Sequence, residues 1–172
     1  MENETTRFEA IILPHLDVAY NLARWLTGNE TDARDMAQEA SLRAFKFFGG
    51  FRGGDPRAWL LTIVRNTVYT WLRRQRTAEH VFEDENQLER LEDLSVNPTH
   101  LLERNATIEV VRAAIAQLAS EFREVVVLRE LENFSYKEIA DVTGVPIGTV
   151  MSRLARGRRE LQRILTEGGT QV

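Results

Sequence analysis

The stretch from Phe134 to Leu165, FSYKEIADVTGVPIGTVMSRLARGRRELQRIL, leaves the chain little freedom in how it folds. Ser135 can cap a helix through its hydroxyl, and Glu138, three residues on, can reach back to the Ser135 amide, which makes a capping box. Ile139, Ala140 and Val142 give the short helix that follows a buried side, and the small Ala140 suits a close crossing by a second helix. Thr143-Gly144-Val145 then interrupts the pattern, and Gly144 can take the positive φ that a tight turn between helices requires. Pro146 marks a restart. Val150, Leu154, Leu161 and Ile164 or Leu165 recur at i, i+4, i+11 and i+14, the stripe of an amphipathic helix. Ser152, Arg153, Arg156, Arg159 and Arg163 occupy its other face. A short helix, a glycine turn and a longer basic helix make a helix-turn-helix, whose second helix can enter a DNA major groove. An ordinary helical hairpin with a solvated basic face has the same pattern, so DNA binding needs support from the remainder of the chain.

The net charge of the 172 residues is -4, the wrong sign for a phosphate-binding protein until the charges are followed along the chain. Residues 1–40 hold three basic groups against eight acidic ones, and residues 41–76 hold eight basic groups against Asp55 alone. Residues 77–110 reverse this with two against nine; residues 111–145 have four against six, and residues 146–172 five against two. Phosphates respond to local potential over about 8–10 Å in physiological salt, so this segregation matters more than the total. Two basic blocks with an acidic one between them exceed what one compact DNA-binding domain requires. The length suits one medium domain or two small ones. With no cysteine there is no disulfide framework, thiolate metal site or thiol nucleophile, and His15, His80 and His100 stand far apart without ligand spacing. The acidic start MENETTRFEA lacks the order of a signal peptide, and no apolar run reaches membrane-spanning length, so a cytoplasmic chain without membrane insertion is expected.

Taken in order, Phe8, Ile12, Leu16, Ala19, Leu22 or Ala23, and Leu26 follow helical spacing, with Pro14 kinking the helix or marking its start and Thr27-Gly28-Asn29 ending it. Thr31 is the expected cap of a second helix, which buries Ala33, Met36 or Ala37, Ala40, Ala44 and Phe47 or Phe48. Its other face shows Asp35, Gln38, Glu39, Leu42, Arg43 and Lys46. The loop GGFRGGD has no preceding strand and no Gly-Lys-Ser/Thr ending, which argues against a nucleotide loop. Asp55-Pro56 then starts a helix to about Arg76 that buries Trp59 or Leu60, Ile63, Val64, Val68 and Leu72. Thr62, Asn66, Tyr69 and Arg73 share another face, flanked by Arg65, Arg74 and Arg76; amide, aromatic and arginine groups suit base contact, stacking and phosphate neutralisation, and equally a solvated basic helix. From Thr77 to Asn97 the periodicity fails and EDENQLERLEDL predicts a mobile acidic linker with a transient helix near Leu88–Leu94. Beyond Asn97-Pro98, a helix carries Leu101/Leu102, Ile108, Val111, Ile115 and Leu118. Ser120 is the expected cap of the next, with Phe122, Val125 or Val126, Leu128 and Leu131 apolar. Val125-Val126-Val127 is strand-prone, but its flanks EFRE and RELE predict a packed helix. EGGTQV reads as a frayed tail.

Three of these stretches together resemble the sigma factors of bacterial RNA polymerase, in the small two-domain extracytoplasmic-function group. They are DARDMAQEASLRAF, FRGGDPRAWLLTIVRNTVYTWLRRQR and FREVVVLRELENFSYKEIADVTGVPIGTVMSRL, in the family's order and spacing. The resemblance implies an all-α fold with an N-terminal domain at 1–78, an acidic flexible linker at 79–97 and a C-terminal helix-turn-helix domain at 98–172. It implies a promoter-specificity subunit that directs core polymerase to -35 and -10 elements and assists melting, in a stress or environmental response, with no cofactor and no catalysis of its own. Asp35, Gln38 and Glu39 match the face that docks on the β′ coiled coil, in a partner that also includes the β subunit. Phe51 and its loop, with Asn66, match positions that receive a flipped -10 base, while Arg65, Tyr69, Arg73 and Arg74 would lie along the adjoining single strand. Ser152, Arg153 and Arg156 match the face that reads the -35 element, and the linker matches the segment threaded toward the polymerase active site. Family members are commonly held inactive by an anti-sigma factor, which is thus an expected partner. The chain departs from the pattern at Thr70, often aspartate, and at Gly157, where a better helix former is usual and glycine costs about 1 kcal/mol unless close packing needs it.

Two other readings remain at this point. A free-standing helix-turn-helix regulator explains 134–165 but neither the second basic block nor Asp35, Gln38 and Glu39. A nucleic-acid enzyme would need a nucleophile among arginines, for which Tyr69 is the one tempting residue, with no activating cluster beside it.

Overall fold

The computed structural model describes residues 3–79 and 103–168, and every regular element among them is helical. The chain divides into two compact units. In the first, Asn3 opens α1 (Glu4–Ile12) by accepting the Thr5 amide. Pro14 lies in a 3-10 turn at Leu13–His15, and α2 (Leu16–Thr27) follows. The apolar stripe from Phe8 to Leu26 therefore spans two helices, because Pro14 has no amide to continue the first. Gly28, at φ 83°, ends α2. The cap of α3 (Glu30–Phe47) is Asn29 and not the expected Thr31: Asn29 is extended and accepts the Asp32 amide at 2.8 Å. Gly28 completes the reversal by itself, so the next residue is already in place to cap. The Asp55 carboxylate accepts the Arg57 amide at 2.9 Å, and Pro56 is the first residue of α4 (Pro56–Glu79).

Helices α2, α3 and α4 pack on one another, with α1 against α4. Ala19, Ala23, Ala33, Ala40 and Ala44 are fully buried, and these small side chains let α2 and α3 approach closely around Leu22, Leu26, Leu60, Val64 and Val68. Of the pairs that periodicity left open, Met36 and Phe48 are buried, while Phe47 is 57% exposed. Leu61 and Thr67 are buried too; the Thr67 hydroxyl donates to the Ile63 carbonyl at 2.7 Å, so a polar group enters the core already satisfied. Trp59, Ile63 and Leu72 are only partly covered.

In the second unit, α5 (Glu103–Ala116) and α6 (Ser120–Val126) both pack on α8 (Ile147–Gly168). Ser120 is not the cap of α6. The cap position is Ala119, which has no side-chain bond, and the junction is held by Arg123, which donates to the carbonyls of Ala116 (2.6 Å) and Leu118 (2.8 Å). Glu124 to Leu128 are five consecutive buried residues, more than one helical stripe supplies, because α6 is covered by α5 and α8 together. Ile108 and Leu131, expected within the apolar set, are 45% and 48% exposed. After Val126 the helix widens into a π turn at Val127–Leu131, closed by the Glu132 amide on the Val127 carbonyl at 3.1 Å. The three valines are thus helical, as their flanks predict.

The capping box forms as read. Ser135 Oγ accepts the Glu138 amide at 3.1 Å, and Glu138 accepts the Ser135 amide at 3.2 Å, ahead of α7 (Tyr136–Thr143). Gly144 has φ 72°, and Pro146 stands just before α8, its carbonyl accepting the Thr149 and Val150 amides. Helix α8 runs unbroken through Gly157, where a Cβ would lie 2.9 Å from Val126 Cγ2. Close packing with α6 therefore requires the glycine. The acidic segment beyond Glu79, the helix expected at Leu88–Leu94, Asn97-Pro98, Leu101, Leu102 and the tail beyond Gly168 lie outside the described residues.

Candidate nucleic-acid interface

Burial of Ala33, Met36, Ala40 and Ala44 turns the opposite side of α3 outward, and it carries Asp35, Gln38 and Glu39, all exposed on one surface. Glu39 pairs with Arg43 at 3.0 Å, one turn on, and Leu42 beside them is 63% exposed. An apolar residue set among carboxylates offers a partner helix both contact area and charge.

The loop after α3 is anchored by aromatic rings. Phe51 is buried, stacked on Phe48 with centroids 5.7 Å apart and against Trp59 at 5.2 Å, while Phe8 meets Phe48 edge-on at 5.3 Å. The Phe51 ring is thus an internal support, and the loop exposes Arg52, Gly53, Gly54 and Asp55. Gly53 and Gly54 both have φ near 90°, a backbone that residues with a Cβ rarely adopt. One helical face of α4 presents Asn66 and Arg73, both exposed, with Arg74 exposed beside it. Tyr69 is half-covered by Arg65, whose guanidinium lies 4.6 Å from the ring centroid. Arg73 reaches Thr70 only at 3.4 Å. Amide, ring and cations therefore share a strip, a surface suited to a splayed strand with its bases stacked and its phosphates neutralised.

On α8, Val150, Leu154 and Gly157 face inward, which leaves Ser152, Arg156 and Arg159 exposed on the outer side. Ser152 Oγ donates to the Thr149 carbonyl at 3.0 Å. The arginines of this helix differ in availability. Arg158 donates to Glu130 at 2.6 Å, and that hydrogen bond holds its pKa above the ordinary value. Arg163 sits between Glu160 and Glu167, which raise its pKa, while Arg163 in turn holds the Glu160 carboxyl below the usual range. Arg153 lies on the flank, 24% exposed and 3.9 Å from the Glu121 carboxylate. Arg156 faces a ring and no carboxylate, its guanidinium 5.1 Å from the Phe122 centroid. Arg159 was legible on the basic face but not among the expected -35 contacts; its spacing of three from Arg156 and seven from Ser152 is the signal that places it beside them. Among the described residues no cluster of His, Cys, Asp or Glu could hold a metal ion, and no helix is long and apolar enough to cross a membrane.

Comparison with known proteins matches two stretches of the chain to one family. Residues 11–78 match the model of Sigma-70 region 2, and residues 108–161 match that of Sigma-70 region 4. The chain is 32% identical over 167 residues to the ECF RNA polymerase sigma factor SigE of Mycolicibacterium smegmatis, covering 96% of this chain and 64% of that protein. It is 31% identical to the RNA polymerase sigma-H factor of Pseudomonas aeruginosa, covering 92% and 86%, and 33% identical to the ECF sigma-E factor of Escherichia coli, covering 76% and 72%. Among solved structures, the sigma factor RpoE in complex with the anti-sigma factor NepR from Bartonella quintana aligns with a TM-score of 0.74 at 26% identity, over 93% of this chain and 97% of that one.

Proposed function

The chain belongs to the extracytoplasmic-function sigma factors of bacterial RNA polymerase, and on that premise we propose a division of labour between its surfaces. As the promoter-specificity subunit it joins core enzyme and directs initiation. Asp35, Gln38 and Glu39 dock the N-terminal domain, 1–78, on the β′ coiled coil. Asn66, outward on α4, offers a donor and an acceptor to a flipped -10 base. The exposed loop, braced from beneath by Phe51, forms the wall of its pocket. Arg65, Tyr69, Arg73 and Arg74 track the unpaired strand. In the C-terminal domain, 98–172, α8 enters the major groove of the -35 element with Ser152, Arg156 and Arg159, and Arg153 reaches phosphate from the flank. Residues 79–97 link the two.

Melting needs no covalent step. Unstacking a base costs a few kcal/mol, and a pocket that holds one extruded base traps the open duplex. The chain works in the cytoplasm, where its polymerase is, in a stress or environmental response. An anti-sigma factor is its regulatory partner, by likeness to the Bartonella protein. The single observation that carries this reading is that both sigma regions are present, in order, each with its cationic helix face exposed. Transcription by purified core polymerase with and without the chain, on a genomic DNA library, tests it. Chain-dependent starts sharing two spaced elements are expected, and starts indifferent to the chain would refute it.

A further inference from the structure

Of the arginines on α8, Arg158 and Arg163 have their N–H groups engaged by carboxylates, whereas Arg156 is held by the half-buried ring of Phe122, from the first turn of α6. The difference matters because a ring holds a guanidinium by its face, and all five N–H donors lie in the plane of the group. A carboxylate consumes the donors that a guanine edge needs; a ring leaves them available. Position 157, next to Arg156, has no side chain; a Cβ there would touch Phe122 Cβ at 3.4 Å and crowd Val126 Cγ2 at 2.9 Å, so the two helices approach closely beside the ring. Ordering a long side chain at an interface carries an entropic cost, which a preset rotamer avoids.

We propose, on the assignment of Arg156 to the -35 groove, that Phe122 is a positioning residue for promoter recognition. It fixes the plane of the Arg156 guanidinium before DNA arrives, so α6 sets part of the specificity that α8 expresses. Holoenzymes assembled from core polymerase and full-length chain, transcribing a duplex library randomised across the -35 segment, provide the test. Arg156→Ala flattens the preference at one base pair. Phe122→Leu, apolar but without a ring, lowers discrimination at that same base pair by roughly two- to fivefold and leaves the other positions unchanged. Phe122→Tyr restores it, and the Phe122→Leu, Arg156→Ala double variant is no worse than Arg156→Ala. Phe122→Met replaces the leucine variant in this comparison if thermal melting shows Phe122→Leu to be unfolded. An Arg156→Ala variant with every preference intact overturns the groove assignment itself. If Arg156→Ala flattens one position but the ringless variants keep that preference, lose equally at all positions, or add to Arg156→Ala, the groove assignment stands and the role of Phe122 is refuted.

Discussion

At Gly157, in the middle of a long helix, alanine would ordinarily be the better residue by about 1 kcal/mol. The neighbouring Val126 reverses that preference: a methyl 2.9 Å from its Cγ2 must push a stiff β-branched side chain in a packed interior, and overpacking typically costs about 1–3 kcal/mol. Gly157→Ala is expected to lower the thermal midpoint, and a midpoint above wild type would show that α6 and α8 separate easily. Two arginines one turn apart on α8 should also behave differently. Arg153→Ala should weaken all -35 sequences alike and reduce the salt slope by about 0.9, as loss of one phosphate contact does, whereas Arg156→Ala should change which sequences are preferred. Binding profiles over -35 variants at several salt concentrations separate these outcomes. The sequence made the basic face legible, because a 3.6-residue period assigns sides without ambiguity. It did not distinguish Arg153 from Arg156, since availability depends on Glu121 and Phe122, some thirty residues away in the chain. Phe51 was illegible for the same reason: its burial is decided by Phe48 and Trp59 in space.

Among the elements, α3 shows how cleanly one helix can serve two purposes. Its alanine stripe is buried, and its acidic face is exposed, with Glu39 paired to Arg43 one turn along the same helix. A surface i, i+4 pair contributes about 0.3–0.5 kcal/mol, so reversing charge there leaves folding nearly intact. At a docked interface, by contrast, truncating one buried partner of a charge pair costs about 2–5 kcal/mol. The Asp35→Lys, Glu39→Arg double variant is therefore expected to keep its melting temperature and lose affinity for core polymerase in pull-down titration. Undiminished affinity would remove the docking assignment. Helix boundaries were legible where capping chemistry is local, as at Ser135 and Glu138 or at Asp55 and Pro56. They were missed where two good caps compete, as at Asn29 and Thr31, and where a distant side chain does the capping, as Arg123 does between α5 and α6. The π turn left no trace in the apolar pattern, because the five consecutive buried residues Glu124 to Leu128 that lead into it carry no period.

For the molecule as a whole, the proposed division of labour puts recruitment and melting on different surfaces, so a substitution should separate them. Asn66→Ala is expected to leave recruitment through the -35 element intact, to impair open-complex formation and to relax preference at one -10 position. A pre-melted bubble should restore part of the opening, since unpairing is supplied, but not the lost preference. Permanganate footprinting on duplex and bubble templates measures both, and normal melting with unchanged preference would exclude the pocket. The wide turn at Val127–Leu131 has a consequence of another kind. It holds one residue more than an α-helical turn, and each residue of a helix is worth about 100° of rotation. A chain shortened by one residue there could close an ordinary turn and keep its valines covered, yet carry Phe134, fully buried just beyond the turn, round to the wrong azimuth. Such a deletion is expected to give unchanged circular dichroism and no -35-dependent transcription: a protein that is intact by every measure of folding, and mute.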